Sequence, residues 1–392
     1  MELERRMILA AMVAGALPIG DARGQGQELA QAEAQAQEAP QVADTKPYSA
    51  VAMQLAARSV ERAADRPAAR AQIIAMVAEV EAKIRSARIF IEQYAGHPVR
   101  LAVLPEYLFT SYPGRVSIPD FAHLAAFDID GAEYDALGAV AQKLDLFLAG
   151  NAYETDANFP GLYFQASFLI APSGDVVLRY RRLNSMFAPT PHDVWSKYLD
   201  IYGIDGVFPV ARTQIGNLAA IASEEILYPE IARAHALRGA EIFLHSSSEI
   251  GSPLDTHKHI AKRARAFENM AYVVSANTAG IEGTGLPLAS ADGNSQIVDW
   301  KGRVMAESNS GETFTAFAEI DLHALRTARR TPGMTNYLAR QRLELFAPVY
   351  STTVRHPADG LITDGVAKVP DRDYFKRTQE EVIERMIKDG LI

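Results

Sequence analysis

The chain has 392 residues, of which 48% are hydrophobic and 22% charged, and its formal charge of −9 comes without a long lysine or arginine run. A large buried core is therefore within reach, whereas nucleic acid and anionic membrane surfaces are poor partners, which leaves small molecules. Cysteine is absent, so disulfides, thiolate metal sites and a cysteine nucleophile are all excluded.

Arg5 and Arg6 precede an apolar run over residues 7–17 that closes on Pro18 and small residues, the layout of a twin-arginine export signal. The run is too short to span a bilayer, so residues 1–24 predict export to the periplasm rather than a stable membrane anchor. The alternative is a cytoplasmic leader. Residues 25–45 are dominated by Gln, Ala and Glu and cannot bury enough surface to offset ordering entropy, so they read as a disordered linker. Removing everything before about residue 43 is expected to leave the melting temperature unchanged.

From Tyr48 the pattern changes. Residues 48–55 form a short apolar run, and Ile73, Ile74, Val77, Val80 and Ile84 recur at helical spacing, which predicts a strand and then a helix. Residues 99–104, ending at Pro105-Glu106, and residues 145–150, ending in Gly150, read as buried strands. Residues 163–171 and 176–180 flank Pro172-Ser173-Gly174-Asp175 and predict a hairpin that delivers Arg181 and Arg182 to opposite faces. A strand over residues 218–222 is followed by a helix that Pro229 opens and Gly239 stops. Residues 242–244 and 272–277 read as strands around a helix over 257–270, and residues 295–300 and 303–306 as a further hairpin. This alternation predicts sheets covered by helices in one main domain over residues 46–350. Residues 351–392 turn polar and end in a charged helix over 371–388, which predicts an arm over the body or a subunit contact.

Several segments in this order resemble the nitrilase, or carbon-nitrogen hydrolase, superfamily. The run Leu101-Ala-Val-Leu-Pro-Glu106-Tyr-Leu-Phe-Thr-Ser-Tyr112-Pro resembles the strand ending in the family's catalytic glutamate, and residues 163–183 the segment ending in its catalytic lysine. Residues 215–230, with Ser223-Glu-Glu225 at their centre and Arg233, Leu237 and residues 238–241 after them, resemble its nucleophile elbow and following helix. Residues 265–269 and Asn277 resemble two later landmarks. The resemblance implies an α/β fold of four αββα layers in a dimer or larger homo-oligomer, with no cofactor and no metal. It also implies a Glu-Lys-Cys triad of base, oxyanion stabiliser and nucleophile. By position that triad here becomes Glu106, Arg182 and Ser223, so only the glutamate is retained.

A serine hydroxyl needs a well-placed base where a thiol is partly ionised on its own, and no Gly-x-Ser-x-Gly elbow or His-Asp pair accompanies Ser223. Its plainer reading is a small residue filling the cysteine's space. Arg182 keeps a positive charge and adds a planar donor fork but stays protonated, so it stabilises charge without shuttling protons. Glu106 reads as a base, or else as a structural ion-pair partner of Arg182. Arg181, the neighbour of Arg182, competes with it in register for the lysine's position, with a solvated surface arginine as the plainer reading. Tyr107, Tyr112, Glu225, Tyr228 and His192 are expected to contact substrate, the tyrosines with core packing as the alternative and His192 with an exposed loop position beside Asp193. His257 and His259, two residues apart on a helix, do not share a face and make a poor metal pair.

Three functions follow as expectations. The first is a repurposed enzyme in which Glu106 removes a proton and Arg182 holds the oxyanion, as in a lyase releasing a small aldehyde from a hydroxylated, aromatic compound. The second is amide hydrolysis by Ser223 or activated water. The third is a catalytically silent binding subunit.

Overall fold

A computed structural model describes residues 46–250, 255–352 and 355–392; the leader and linker assigned to residues 1–45 lie outside the described residues. Two six-stranded sheets form the centre. In the first, the strands run in the order Thr313–Ile320, Tyr48–Gln54, Val99–Val103, Phe147–Thr155, Tyr163–Ile170 and Val176–Arg181. In the second, the order is Val304–Glu307, Gln296–Val298, Tyr272–Ala276, Ile242–Ser246, Gly216–Ala222 and Ala211–Thr213.

Alternation along the inner strands explains the layering, because both faces of these strands are buried, whereas the edge strand Val304–Glu307 is largely exposed. Leu101 and Val103 point into the space between the sheets, where they join Leu218, Ile242, Leu244 and Val274. Ala102, between them, faces the other way and packs with Ile73, Val77 and Ile84 of the helix Arg66–Ala95. In the second sheet Ile221, Phe243 and Val273 turn outward to Ala232 and Ala236 of the helix Pro229–Leu237 and to Ala266 of the helix His257–Glu268. The result is a four-layer αββα sandwich.

The long outer helix begins where the Asp65 side chain accepts from Ala68 N at 2.9 Å, with Pro67 in the first turn, and stops at Gly96, whose φ of 74° suits glycine. It runs well beyond the apolar stripe of residues 73–84 in both directions. That cap contributes about 1 kcal/mol, whereas each fully buried Ile of the stripe contributes about 2 kcal/mol. A polar side chain at Ile73, Ile84 or Ile91, all buried, would therefore cost this helix more than loss of its cap.

Both hairpins read from the sequence are present as antiparallel pairs, with Leu169 opposite Leu178 and Ile297 opposite Ala306. Gly239, at φ 97°, follows the helix Pro229–Leu237. Residues 355–392 lie against the body: Leu361 N donates to Asp193 O at 2.9 Å, and Leu361 and Phe375 are buried. Among the described residues no helix is long and apolar enough to cross a membrane.

Candidate active site

The site is built where strands of the two sheets end side by side. Glu106 follows Val99–Val103 and Arg182 follows Val176–Arg181 in the first sheet, while Ser223 follows Gly216–Ala222 in the second. The two sheets are tied at this point by Ser246 Oγ donating to Leu104 O at 2.8 Å and Glu106 N donating to Ser247 O at 3.3 Å. Glu106, Arg182 and Ser223 thereby line one cavity of about 890 Å3, together with Tyr107, Tyr112 and Lys258.

The Glu106 carboxylate is buried but fully engaged. Its Oε1 accepts from Gln165 Nε2 at 2.7 Å and from Arg182 Nη1 at 3.4 Å, and its Oε2 accepts from Ser248 Oγ at 2.5 Å. Ser248 in turn receives the Tyr107 hydroxyl proton. Burial, with the Glu106 charge beside it, pushes the Tyr107 phenol far above its ordinary range, so it acts here as a neutral donor.

Arg182 donates from Nε to Asn184 O at 2.6 Å and from Nη1 to Gln165 Oε1 at 2.7 Å, and its Nη2 pairs with Glu224. With Glu106 these partners engage four of the five N–H donors of a guanidinium, so its fork is largely committed to holding the site together. Burial pushes its pKa down, but Glu224, Glu106 and Glu225 outweigh that and raise it, which keeps the cation charged.

Ser223 occupies a left-handed backbone conformation, φ 49°, at the turn from strand to 3-10 helix. A non-glycine residue is strained there by about 1–3 kcal/mol and needs support from its surroundings. His245 provides it. Its Nε2 lies 2.8 Å from Ser223 O, which can only accept, so that nitrogen carries the proton and Nδ1 accepts from Ser275 Oγ at 2.8 Å. Burial holds the imidazole neutral, well below its ordinary pKa. On the cavity side, Lys258 Nζ lies 3.0 Å from Ser223 Oγ and 3.3 Å from Ser247 Oγ.

Tyr107 and Tyr112 line the cavity, whereas three residues expected to contact substrate are placed elsewhere. Glu225 is buried and accepts from Leu183 N at 2.7 Å, Asn184 N at 2.9 Å and the Tyr180 hydroxyl at 2.7 Å, which pins the loop after Arg182 to the turn after Ser223. It is a positioning carboxylate. His192 and Tyr228 line an adjoining cavity of about 430 Å3 beside the C-terminal segment, with His356 and Tyr374; it meets the main cavity at Ser185 and Glu224. The His192 loop is covered by that segment, through Asp359 N donating to His192 O at 3.0 Å, which is why it does not reach the main cavity. Arg181 is not a solvated arginine: it is buried against Glu154 and Asp156, at 3.2 and 2.6 Å, on the opposite side of the strand from Arg182. His257 lines the main cavity, whereas His259 turns to Glu307 at 3.2 Å.

Six residues of the site carry no reading in the sequence analysis. Gln165 interrupts the apolar strand Tyr163–Ile170, and an uncharged polar side chain in a fully buried run is a signal of its own. The triplet Ser246-Ser247-Ser248 at the end of an apolar strand is another. Lys258 stands between two histidines that drew attention to themselves, and His245 is a ring inside a strand; neither carries a spacing that marks it.

The carbon-nitrogen hydrolase family model matches residues 53–330. Among curated relatives, the omega-amidase NIT2-A of Xenopus laevis is 25% identical over 240 residues, covering 61% of this chain and 83% of that one. A formamidase of Helicobacter acinonychis is 24% identical over 244 residues, covering 62% and 68%. Among solved structures, Nit3 of Saccharomyces cerevisiae superposes with a TM-score of 0.55 at 19% identity, covering 74% of this chain and 96% of that one. The carbon-nitrogen hydrolase of Helicobacter pylori G27 does so with a TM-score of 0.55 at 21% identity, covering 77% and 98%. These likenesses establish the shared fold.

Proposed function

The chain belongs to the carbon-nitrogen hydrolase family, and from that premise we propose that it hydrolyses an amide bond of a small molecule without a cysteine. The carrying observation is that Ser223 stands on a strained strand-end turn with its Oγ facing the cavity that Glu106 and Arg182 also line. The amidase and formamidase relatives support the reaction class. In this reading Ser223 takes the nucleophile's place, Glu106 orients the attacking water, and Arg182 stabilises the charge that develops on the carbonyl oxygen.

The cavity indicates what the amide is attached to. At about 890 Å3, with Tyr107, Tyr112, Tyr153 and Phe187 in its wall, it is far larger than an amide group needs and offers ring faces for a planar body. Arg372 also lines it, although it lies beyond the family-matching residues 53–330. Its Nε and Nη2 are shielded from solvent without a hydrogen-bond partner, and it forms no ion pair among the described residues. A carboxylate on the substrate would satisfy that guanidinium in bidentate fashion.

Carbon-carbon cleavage of a hydroxylated aromatic compound is the second reading, favoured by the same aromatic wall and by a Glu106 hydrogen-bond network that needs no covalent step. One experiment separates the two. The full chain is incubated with a panel of aryl-substituted primary amides and hydroxylated aromatics, and products are followed by mass spectrometry and ammonia release. Hydrolysis adds the mass of water and releases ammonia; a lyase divides the substrate mass between two products. Ammonia-free cleavage would overturn the hydrolase reading.

A further inference from the structure

We propose that Lys258 is the general base for Ser223, forming a serine-lysine pair that replaces the missing cysteine with a nucleophile built from two different elements. The inference deepens the hydrolase reading and rests on it. Ser223 comes from the end of Gly216–Ala222, whereas Lys258 is in the first turn of the helix His257–Glu268, and the two meet at 3.0 Å across the cavity wall.

Three features of the surroundings suit this role. Lys258 makes no ion pair with a carboxylate among the described residues; its ammonium contacts are the hydroxyls of Ser223 and Ser247. A lysine spent on structure would more usually be neutralised by an acid. The groups that face it are Glu106, Glu249 and Glu224, which favour its charge, and Arg182, which opposes it; Lys262 and the neutral His245 lie behind, on its own helix and on the strand Ile242–Ser246. Burial is the largest influence and lowers its pKa below the ordinary lysine value despite the three carboxylates. The free amine, the form that accepts a proton, is therefore more accessible here than on an exposed lysine.

The cycle closes without any other reagent. The Ser223 hydroxyl proton passes to the neutral amine as Oγ bonds to the amide carbon. When the carbon-nitrogen bond breaks, the Lys258 ammonium returns that proton to the leaving nitrogen. Water then adds to the serine ester, its proton going to Lys258, and the ester carbon-oxygen bond breaks as Ser223 recovers its hydrogen. Glu106, bound to Gln165 and Ser248, orients the water, and Arg182 remains a fixed charge.

The absence of cysteine makes the test specific. The full chain is treated with an aryl fluorophosphonate, which phosphonylates an activated serine, and the adduct is located by intact mass and peptide mapping over a range of pH. Labelling at Ser223 is expected, with a rate that rises through a pKa below 10.5, the ordinary lysine value. Lys258→Met and Lys258→Arg are each expected to slow labelling at least 100-fold and to remove that pH limb, with unchanged melting temperatures as the check on folding. Lys258→Cys, the sole thiol in the chain, is then alkylated with bromoethylamine, which rebuilds an amine at that position and is expected to restore both the rate and the limb. Labelling of Lys258→Met at the wild-type rate, or no labelling of Ser223 in the wild type, overturns the inference. Amide hydrolysis that persists without Ser223 labelling would leave the hydrolase reading standing while removing this one, whereas Lys258-dependent labelling without amide turnover would do the reverse.

Discussion

A single amide joins Glu106 to Arg182: Gln165 donates from Nε2 to Glu106 Oε1 and accepts from Arg182 Nη1 at Oε1, each at 2.7 Å. Arg182 itself is only 3.4 Å from the carboxylate, so the glutamine, more than the direct ion pair, fixes the carboxylate's position. Gln165→Glu keeps the shape and replaces the donor with a second carboxylate within hydrogen-bond distance of Glu106. Two acids so placed cannot both ionise freely, and one pKa must rise. The acidic limb of the kcat/KM profile should therefore move at least one pH unit upward, while Gln165→Leu lowers kcat without such a move. An unchanged limb in Gln165→Glu would show that the carboxylate placed beside Glu106 has no influence on the rate-determining step.

Arg182 is the site's keystone in charge as well as geometry. Replacing it with Met leaves Glu106, Glu224 and Glu225 around a buried position without the guanidinium, and uncompensated buried charge of this kind costs about 3–5 kcal/mol. Arg182→Lys keeps the charge but cannot reach Asn184 O, Gln165 Oε1 and Glu224 together, so it should fold near normally and lose roughly 10- to 100-fold in kcat. Urea unfolding of both variants, with rates for the lysine variant, checks the split.

The sandwich was legible because its strands are short apolar runs bounded by turn residues, and its helices carry stripes that a strand cannot use. Glu106, Arg182 and Ser223 were legible for a related reason: each ends such a run, where backbone direction alone brings it to the sheet edge. What the sequence hid depends on long-range approach. Lys258 reaches Ser223 from 35 residues away, and Gln165 reaches Glu106 from 59 away, neither within a local pattern. The placement of Glu225 was hidden as well, because the tight turn at Ser223 sends the next carboxylates apart, Glu224 to the cavity and Glu225 to the backbone amides of residues 183 and 184. The surroundings of His192 were hidden because the covering segment, residues 355–392, is invisible to a loop considered alone.

Arg372 gives a prediction about substrate choice rather than rate. Its guanidinium lies close enough to the Tyr163 hydroxyl to hold that phenol at about 12 against the larger upward push of burial, yet its Nε and Nη2 have no acceptor. Arg372→Ala should raise KM at least tenfold for amides that carry a carboxylate, with kcat little changed, and leave neutral amides unaffected. Equal effects on both substrate sets would mean that the arginine only shapes the C-terminal segment.

Lys262 offers a stability test in which the sign itself is informative. Its side chain is fully buried and donates from Nζ to Asn294 O at 2.7 Å. Burial lowers its pKa to about 8, Lys258 adding to the fall and Glu249 and Glu307 opposing it. Below pH 8 the ammonium is charged in both the folded and unfolded chain, and burying it costs about 3 kcal/mol at ~1.4 kcal/mol per pH unit of separation. Between pH 8 and the ordinary lysine value of 10.5 the unfolded chain holds the proton that the folded chain has released, so stability attributable to this group rises with pH. Lys262→Met removes the charge but leaves the Asn294 carbonyl without its donor, a loss of about 1–3 kcal/mol at every pH. The variant should therefore match or exceed the wild type in urea unfolding at pH 7 and fall progressively behind it by pH 10. A stability difference that stays constant across that range would show that the buried amine carries no desolvation cost.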